Sequence, residues 1–201
     1  MMYSDEEGIF VVKTARRVVE EYLNRRRVPE IEFPKKFEEK GGVFTTISTY
    51  PDRNLRGCIG FPEPIFPLKK ALVESALAAA FQDPRFPPLT RDELNSVVFE
   101  VSLLTPPEEI RVKSRKELLN RVVIGRHGLI AERGFYRGLL LPQVPVEWNW
   151  DVEEFLSQTC WKAGLPPDCW LDESTKIYAF SAEIFEEEEP RGRIRRKEIG
   201  D

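Results

Sequence analysis

The chain is short of the residues from which metal centres and disulfide frameworks are made. It has one histidine and three cysteines in 201 residues. His127 is that single histidine, and Cys160 and Cys169 stand nine positions apart, with Cys160 in a predicted helix. That set is too sparse to close a zinc site, so no metal and no cofactor is expected. An odd cysteine count also argues against a secreted disulfide framework. Two readings stand for Cys160: a bridge to Cys169 of the kind thermophile proteins hold, or an apolar core residue, the second being preferred. No apolar run approaches the length of a membrane span. The acidic start Met1-Met2-Tyr3-Ser4-Asp5-Glu6-Glu7 lacks the charged-then-apolar layout of a signal peptide, so a cytoplasmic protein without membrane contact is expected. A net charge of −4 argues against a fold devoted to polyanions.

What is present is a globular composition, 41% hydrophobic and 32% charged, with enough mass for a substantial core. High Glu, Lys and Arg, 16 prolines and two methionines lean towards a thermophilic source. Ser4 and Glu7 form a capping-box pattern ahead of Val12, Ala15, Val19, Tyr22 and Leu23, which keep helical spacing. The Arg25-Arg26-Arg27 triplet suits the end of that helix. Val43 to Thr49 and Leu55 to Ile59 flank the turn Tyr50-Pro51-Asp52-Arg53-Asn54 and predict a hairpin. Strand alternation then puts Arg56 and Cys58 on one face, with Leu55 and Ile59 packed on the other.

A second amphipathic helix runs from Leu68 to about Ala80, ending before Asp83-Pro84. Thr90/Glu93 and Ser114/Glu117 repeat the capping pattern before short helices. Strands are predicted at Val97 to Leu104, Val122 to Ile124, Leu129 to Glu132, Leu139 to Leu141 and Lys176 to Phe185. Asp151 and Glu154 open a last helix that buries Phe155, Leu156, Cys160 and Ala163 and ends at Gly164. Positions 186–201, from Glu186-Glu187-Glu188-Glu189 to the basic Arg191-to-Lys197 stretch, have too little apolar content to fold alone and predict a flexible tail. Helices and strands do not alternate regularly, so the fold class is α+β with a largely antiparallel sheet packed with helices.

Five segments then carry a resemblance. They are Leu55-Arg56-Gly57-Cys58-Ile59-Gly60, Asp83-Pro84-Arg85-Phe86, Gly125-Arg126-His127-Gly128-Leu129-Ile130, Leu140-Leu141-Pro142-Gln143-Val144 and the run Phe155 to Leu165. Together they resemble the AMMECR family, named for a human chromosomal region linked to Alport syndrome, midface hypoplasia and elliptocytosis. The likeness covers the chain from the first helix to Phe185. It implies a single domain over residues 1–185, made of two interlocked subdomains with a cleft between them. It also implies a prokaryotic, thermophilic archaeal member of a family that in some prokaryotes occurs beside Memo-like and radical-SAM proteins. The resemblance brings no reaction with it.

Two functional readings follow. In the first, the protein is an enzyme and Cys58 is the nucleophile or redox thiol, with Arg56 lowering its pKa. His127 would be its base, and Gly57 and Gly60 would let a ligand approach. Arg85 could hold an anionic small-molecule or protein substrate through its fork. Asp83, Gln143 and Glu147 are further polar candidates for ligand binding. In the second, the protein is a non-catalytic binding or adaptor domain for a peptide, protein or nucleic acid, the basic tail being where a nucleic acid would touch, although a solvated tail neutralised by the preceding glutamates is the preferred reading of it. Trp148, Trp150, Trp161 and Trp170 read mainly as core residues, and any exposed one as part of an interaction surface.

Overall fold

The computed structural model describes residues 3–198. Expectations for positions 1–2 and 199–201, at the acidic start and the end of the charged tail, lie outside the described residues. In chain order the elements are α1 (Asp5–Arg25), β1 (Gly42–Thr49), β2 (Leu55–Phe61), α2 (Leu68–Phe81), β3 (Val97–Leu104), β4 (Glu108–Glu109) and α3 (Leu118–Arg121). Then follow β5 (Gly128–Arg133), β6 (Tyr136–Leu140), α4 (Val144–Glu147), α5 (Val152–Lys162), β7 (Lys176–Phe180), β8 (Ala182–Glu187) and β9 (Ile194–Lys197). They divide into two compact units. The first runs to Leu104 and resumes at Glu183–Lys197, and the second is built on Thr105–Ala182. The first holds a five-stranded sheet in the order β2-β1-β3-β8-β9, the second a four-stranded sheet in the order β4-β7-β5-β6. The hairpins β1/β2, β5/β6 and β8/β9 and the pairs β1/β3 and β5/β7 are antiparallel, which makes the fold α+β.

In the first unit α1 starts as its capping box dictates. The Glu7 backbone N–H donates to Ser4 Oγ at 3.1 Å, and the Ser4 N–H to Glu7 Oε2 at 2.7 Å. It ends at Arg26, which turns left-handed at φ 56°. Val11, Val12, Ala15, Val18, Val19 and Leu23 bury one face of α1 among Leu68, Leu72 and Ala76 of α2 and Ile47, Phe99 and Val101 of the sheet. Each fully buried side chain of this size contributes about 1.5–3 kcal/mol. Arg16 is a buried exception that is completely satisfied. Its guanidinium pairs with Glu187 at 2.6 Å through both Nε and Nη2, donates to the Leu94 and Val97 carbonyls, and lies 4.7 Å from the Phe99 ring centroid.

The second unit has a smaller core around Leu118, Leu129, Phe155, Leu156, Trp170 and Ile177. Asp151 caps α5, its Oδ1 accepting from the Glu154 N–H at 2.8 Å, and Gly164 follows with φ 76°. Cys160 and Cys169 are joined by a disulfide and are also buried in this core, so the two readings of Cys160 are both realised.

Four expectations are corrected. Residues 186–197 are no loose tail: they finish β8 and form β9, and Glu186, Glu187 and Ile194 are buried. Composition misled because most of the charges there are paired. Arg195 pairs with Glu186, Arg196 with Asp5, Lys197 with Glu100 and Arg191 with Glu20. The strand predicted from Lys176 to Phe185 is two strands in different sheets, separated at Ser181. Val122 to Ile124 leads into a turn instead of a strand, with the Arg126 and His127 N–H groups donating to the Val123 carbonyl. Ser114 makes no side-chain cap, and Glu117 accepts from Lys113 instead.

Candidate functional site

β2 is an edge strand of the first sheet, and its outer side is closed by the loop that follows α2. Asp83 does most of the closing. Its Oδ2 accepts from the Cys58 N–H at 2.9 Å, and Arg85 Nη2 donates to the Cys58 carbonyl at 3.3 Å. The pair thus gives Cys58 the donor and acceptor that a neighbouring strand would have supplied. Asp83 also accepts from the Arg85 N–H and from Arg85 Nε and Nη2, the last at 2.7 Å. These bonds from Arg85, with that from Cys58, hold the buried Asp83 carboxyl well below the usual carboxylate range against the opposing effect of burial. The same pairing raises Arg85.

Gly57 and Gly60 serve close packing. A Cβ on Gly57 would lie 2.1 Å from the Ala79 carbonyl oxygen, so α2 lies directly against β2 there. A Cβ on Gly60 would meet the Phe44 ring at 2.3 Å and the Val43 carbonyl at 2.6 Å. Both glycines are therefore filled from within the fold, on the helix side at Gly57 and by β1 at Gly60.

The shared face expected of Arg56 and Cys58 is interrupted. β1 and β2 pair Thr46 with Cys58 and Ile47 with Gly57, then Ser48 with Leu55, leaving Arg56 as the extra residue of a bulge. Leu55, expected to pack, is exposed. Arg56 turns to Glu93, with Nε–Oε1 at 2.7 Å, and donates to the Pro87 carbonyl. Glu93 also accepts from Thr90. Burial opposes ionisation of Glu93, but the bonds from Arg56 and Thr90 outweigh it and keep this carboxyl below its ordinary value.

Cys58 faces a polar row on the sheet. Thr46 Oγ1 donates to Cys58 Sγ at 3.3 Å, and Thr46 is aligned with Glu100 on β3. Glu100 in turn pairs with Lys197 at 2.8 Å. Burial pushes the Cys58 thiol up, Thr46 and Arg85 pull the other way, and Glu100 and Asp83 add to the rise. The net effect is a thiol held neutral at pH 7. The arginine that bears on it electrostatically is Arg85, and Arg56 is engaged elsewhere.

Arg56, Gly57, Cys58, Gly60, Asp83 and Arg85 are thus brought together in the first unit, whereas His127, Gln143 and Glu147 belong to the second. His127 Nδ1 accepts from the Val123 N–H at 3.2 Å, which leaves the proton on Nε2 in the neutral ring. Burial, then Arg126, lowers its pKa. Gln143 precedes α4, and its Oε1 is buried with no hydrogen-bond partner among the described residues. Glu147 is exposed at the end of α4. Thr46, Glu93 and Glu100 went unnoticed as members of the Cys58 neighbourhood. Thr46 could have been found from the hairpin register, and Glu93 only as a capping residue.

A sequence model of the AMMECR1 family matches residues 12–185. The chain belongs to the AMMECR1 family. Protein MJ0810 of Methanocaldococcus jannaschii is 59% identical over 194 residues, covering 96% of each chain. Protein PYRAB00100 of Pyrococcus abyssi is 56% identical over 200 residues and covers 97% of each. The crystal structure of the uncharacterised protein PH0010 from Pyrococcus horikoshii superposes with a TM-score of 0.89 at 55% identity, over 99% of this chain and 100% of that one. These AMMECR1 relatives are archaeal and include thermophiles, in keeping with the composition and the resemblance. Among the described residues no helix is long and apolar enough to cross a membrane.

Proposed function

We propose that the protein is a non-catalytic binding domain that engages a protein partner through an aromatic surface of its second unit. One observation carries this reading. Phe135, Trp161, Trp148 and Tyr136 are 106%, 72%, 68% and 58% exposed, all within Thr105–Ala182. Phe135 and Tyr136 stand at the β5–β6 turn, and the Tyr136 ring lies against Gly164, just past the end of the helix that carries Trp161. Large aromatics left in water are the residues that anchor protein interfaces. The thiol-enzyme reading has less support. Its nucleophile is held neutral, its two arginines are engaged by Glu93 and Asp83, and its only histidine uses Nδ1 in a local turn.

The test compares the wild type with Phe135→Ser/Trp161→Ser and with Cys58→Ser. A protein retained by the immobilised wild type is purified, and its Kd is measured against all three by calorimetry. At least a tenfold loss is expected for the aromatic variant and none for Cys58→Ser. Equal affinity for the aromatic variant would discard the proposed surface. Rapid alkylation of Cys58 by iodoacetamide in the folded protein at pH 7 would discard the non-catalytic half of the reading. Exposed substitutions of this kind leave stability within about 0.5 kcal/mol, so a lost interaction would not reflect unfolding.

A further inference from the structure

One face of α1 presents Lys13, Arg16, Arg17 and Glu20, whose spacing brings them together on the helix surface. Opposite stands the turn between β8 and β9, closed by Gly192 N–H donating to the Glu189 carbonyl and Glu188 N–H to the Arg193 carbonyl. Arg191 in this turn is left-handed at φ 59° and reaches Glu20 and Asn95, tying the turn to the helix. Between them lies a cavity of about 200 Å³ whose lining includes Lys13, Arg16, Arg17, Arg191, Glu20 and Glu187. Every part of it belongs to the first unit.

The charges around this cavity do not cancel. Glu187 is taken by Arg16, and Glu20 is shared between Arg16 and Arg191. Lys13 and Arg17 are exposed, have no ion pair or hydrogen bond among the described residues, and stand one turn apart as like charges. Four cations therefore meet two carboxylates, an excess of two positive charges on a chain whose net charge is −4. The floor is rigid, because the Arg16–Glu187 pair is buried and fully hydrogen-bonded. An arginine fork beside a lysine point charge suits the oxygens of a phosphate. The volume is below the roughly 300–1,000 Å³ of drug-sized sites, which favours a small anion over a nucleotide.

We propose that this cavity binds a phosphate dianion, free or as the end of a small phosphate ester, with Lys13 and Arg17 as the principal contacts. It is separate from the aromatic surface and does not rest on it. The test is calorimetric titration of the full chain with inorganic phosphate at fixed ionic strength, with succinate as a dianion of different shape. Saturable one-site binding of phosphate is expected, weakened at least tenfold in Lys13→Gln/Arg17→Gln and unaltered in Phe135→Ser/Trp161→Ser. Absence of saturable phosphate binding overturns the proposal, as does equal affinity in the double lysine–arginine variant. Succinate binding as tightly as phosphate overturns the phosphate assignment. Glycerol 3-phosphate then separates the two sources: competition with inorganic phosphate supports an ester end-group, and its exclusion restricts the site to the free ion, both consistent with the proposal. Both altered residues are exposed, and an unchanged thermal midpoint without phosphate checks that the variant is folded.

Discussion

The two units solve the same folding problem with different materials. The first buries Phe37, Phe99 and Phe185 under two long helices and braces its edge with charge: Asp83–Arg85 and Arg56–Glu93 at β2, Arg16–Glu187 beneath α1. Its one cysteine, Cys58, is free. The second unit has a core with about half as many buried apolar residues and closes it with the Cys160–Cys169 disulfide. It leaves Phe135, Trp148 and Trp161 in solvent. A small core in need of a staple is an expected consequence of surface-to-volume scaling. The unit that carries the Leu55–Gly60 hexapeptide is thus the one closed by internal charge pairing, and the second is the one that leaves its large aromatics Phe135, Trp148 and Trp161 most exposed.

The largest expected effect tests the first unit's packing. In Gly57→Ala the new methyl group meets the Ala79 carbonyl at 2.1 Å, and both groups are backbone-fixed at the β2–α2 contact. A loss of about 3 kcal/mol is expected. It would be read from the midpoint of urea unfolding, followed by alkylation of Cys58. A loss below about 0.5 kcal/mol would mean that α2 can retreat, and the view of a tightly closed first unit would fail.

The next effect separates the units. Cys169→Ser opens a short loop and is expected to cost about 2–3 kcal/mol. All four tryptophans, at 148, 150, 161 and 170, lie in the second unit, so fluorescence follows that unit alone. Its transition should move to lower denaturant while the protection of Cys58 from iodoacetamide stays unchanged. Simultaneous shifts would show that the units unfold as one, and the contrast between them would be one of composition only.

The sequence revealed the fold best where a local signal was strong. Ser4 with Glu7, the hairpin turn after Thr49 and Asp151 with Glu154 each fixed an element through contacts within a few residues. It failed where the stabilising partner was distant. The 186–197 segment looks unfoldable until Arg196 is seen against Asp5, a residue 191 positions away, and Lys197 against Glu100. The Cys58 neighbourhood failed for the same reason. Strand alternation offered Arg56 as the activating cation, but a bulge in the strand pairing releases Arg56 to Glu93, and Asp83–Arg85 arrives from the next loop. Periodicity cannot report a bulge, because the extra residue changes register without changing composition.

The smallest effect concerns that loop, and its pH dependence distinguishes charge from shape. Asp83→Asn keeps the volume of the side chain but removes the charge that holds Arg85 and the Cys58 N–H. A loss of about 2 kcal/mol is expected at pH 7, the partial exposure of Arg85 keeping it at the modest end for bonds to a charged group. The sign follows from the depressed carboxyl. Its contribution is fully present above the unfolded value near about 4, and it is lost as pH falls through the lower folded value. The stability gap between wild type and Asp83→Asn should therefore be constant from about pH 5 upward and narrow progressively below about pH 4. Urea midpoints across that range measure it. A gap that stays constant into acid would mean that the loop is held by packing and that its charge contributes nothing. A gap that closes, accompanied by faster alkylation of Cys58 in the variant at pH 7, would show that the ion pair seals the strand edge and keeps the thiol from solvent.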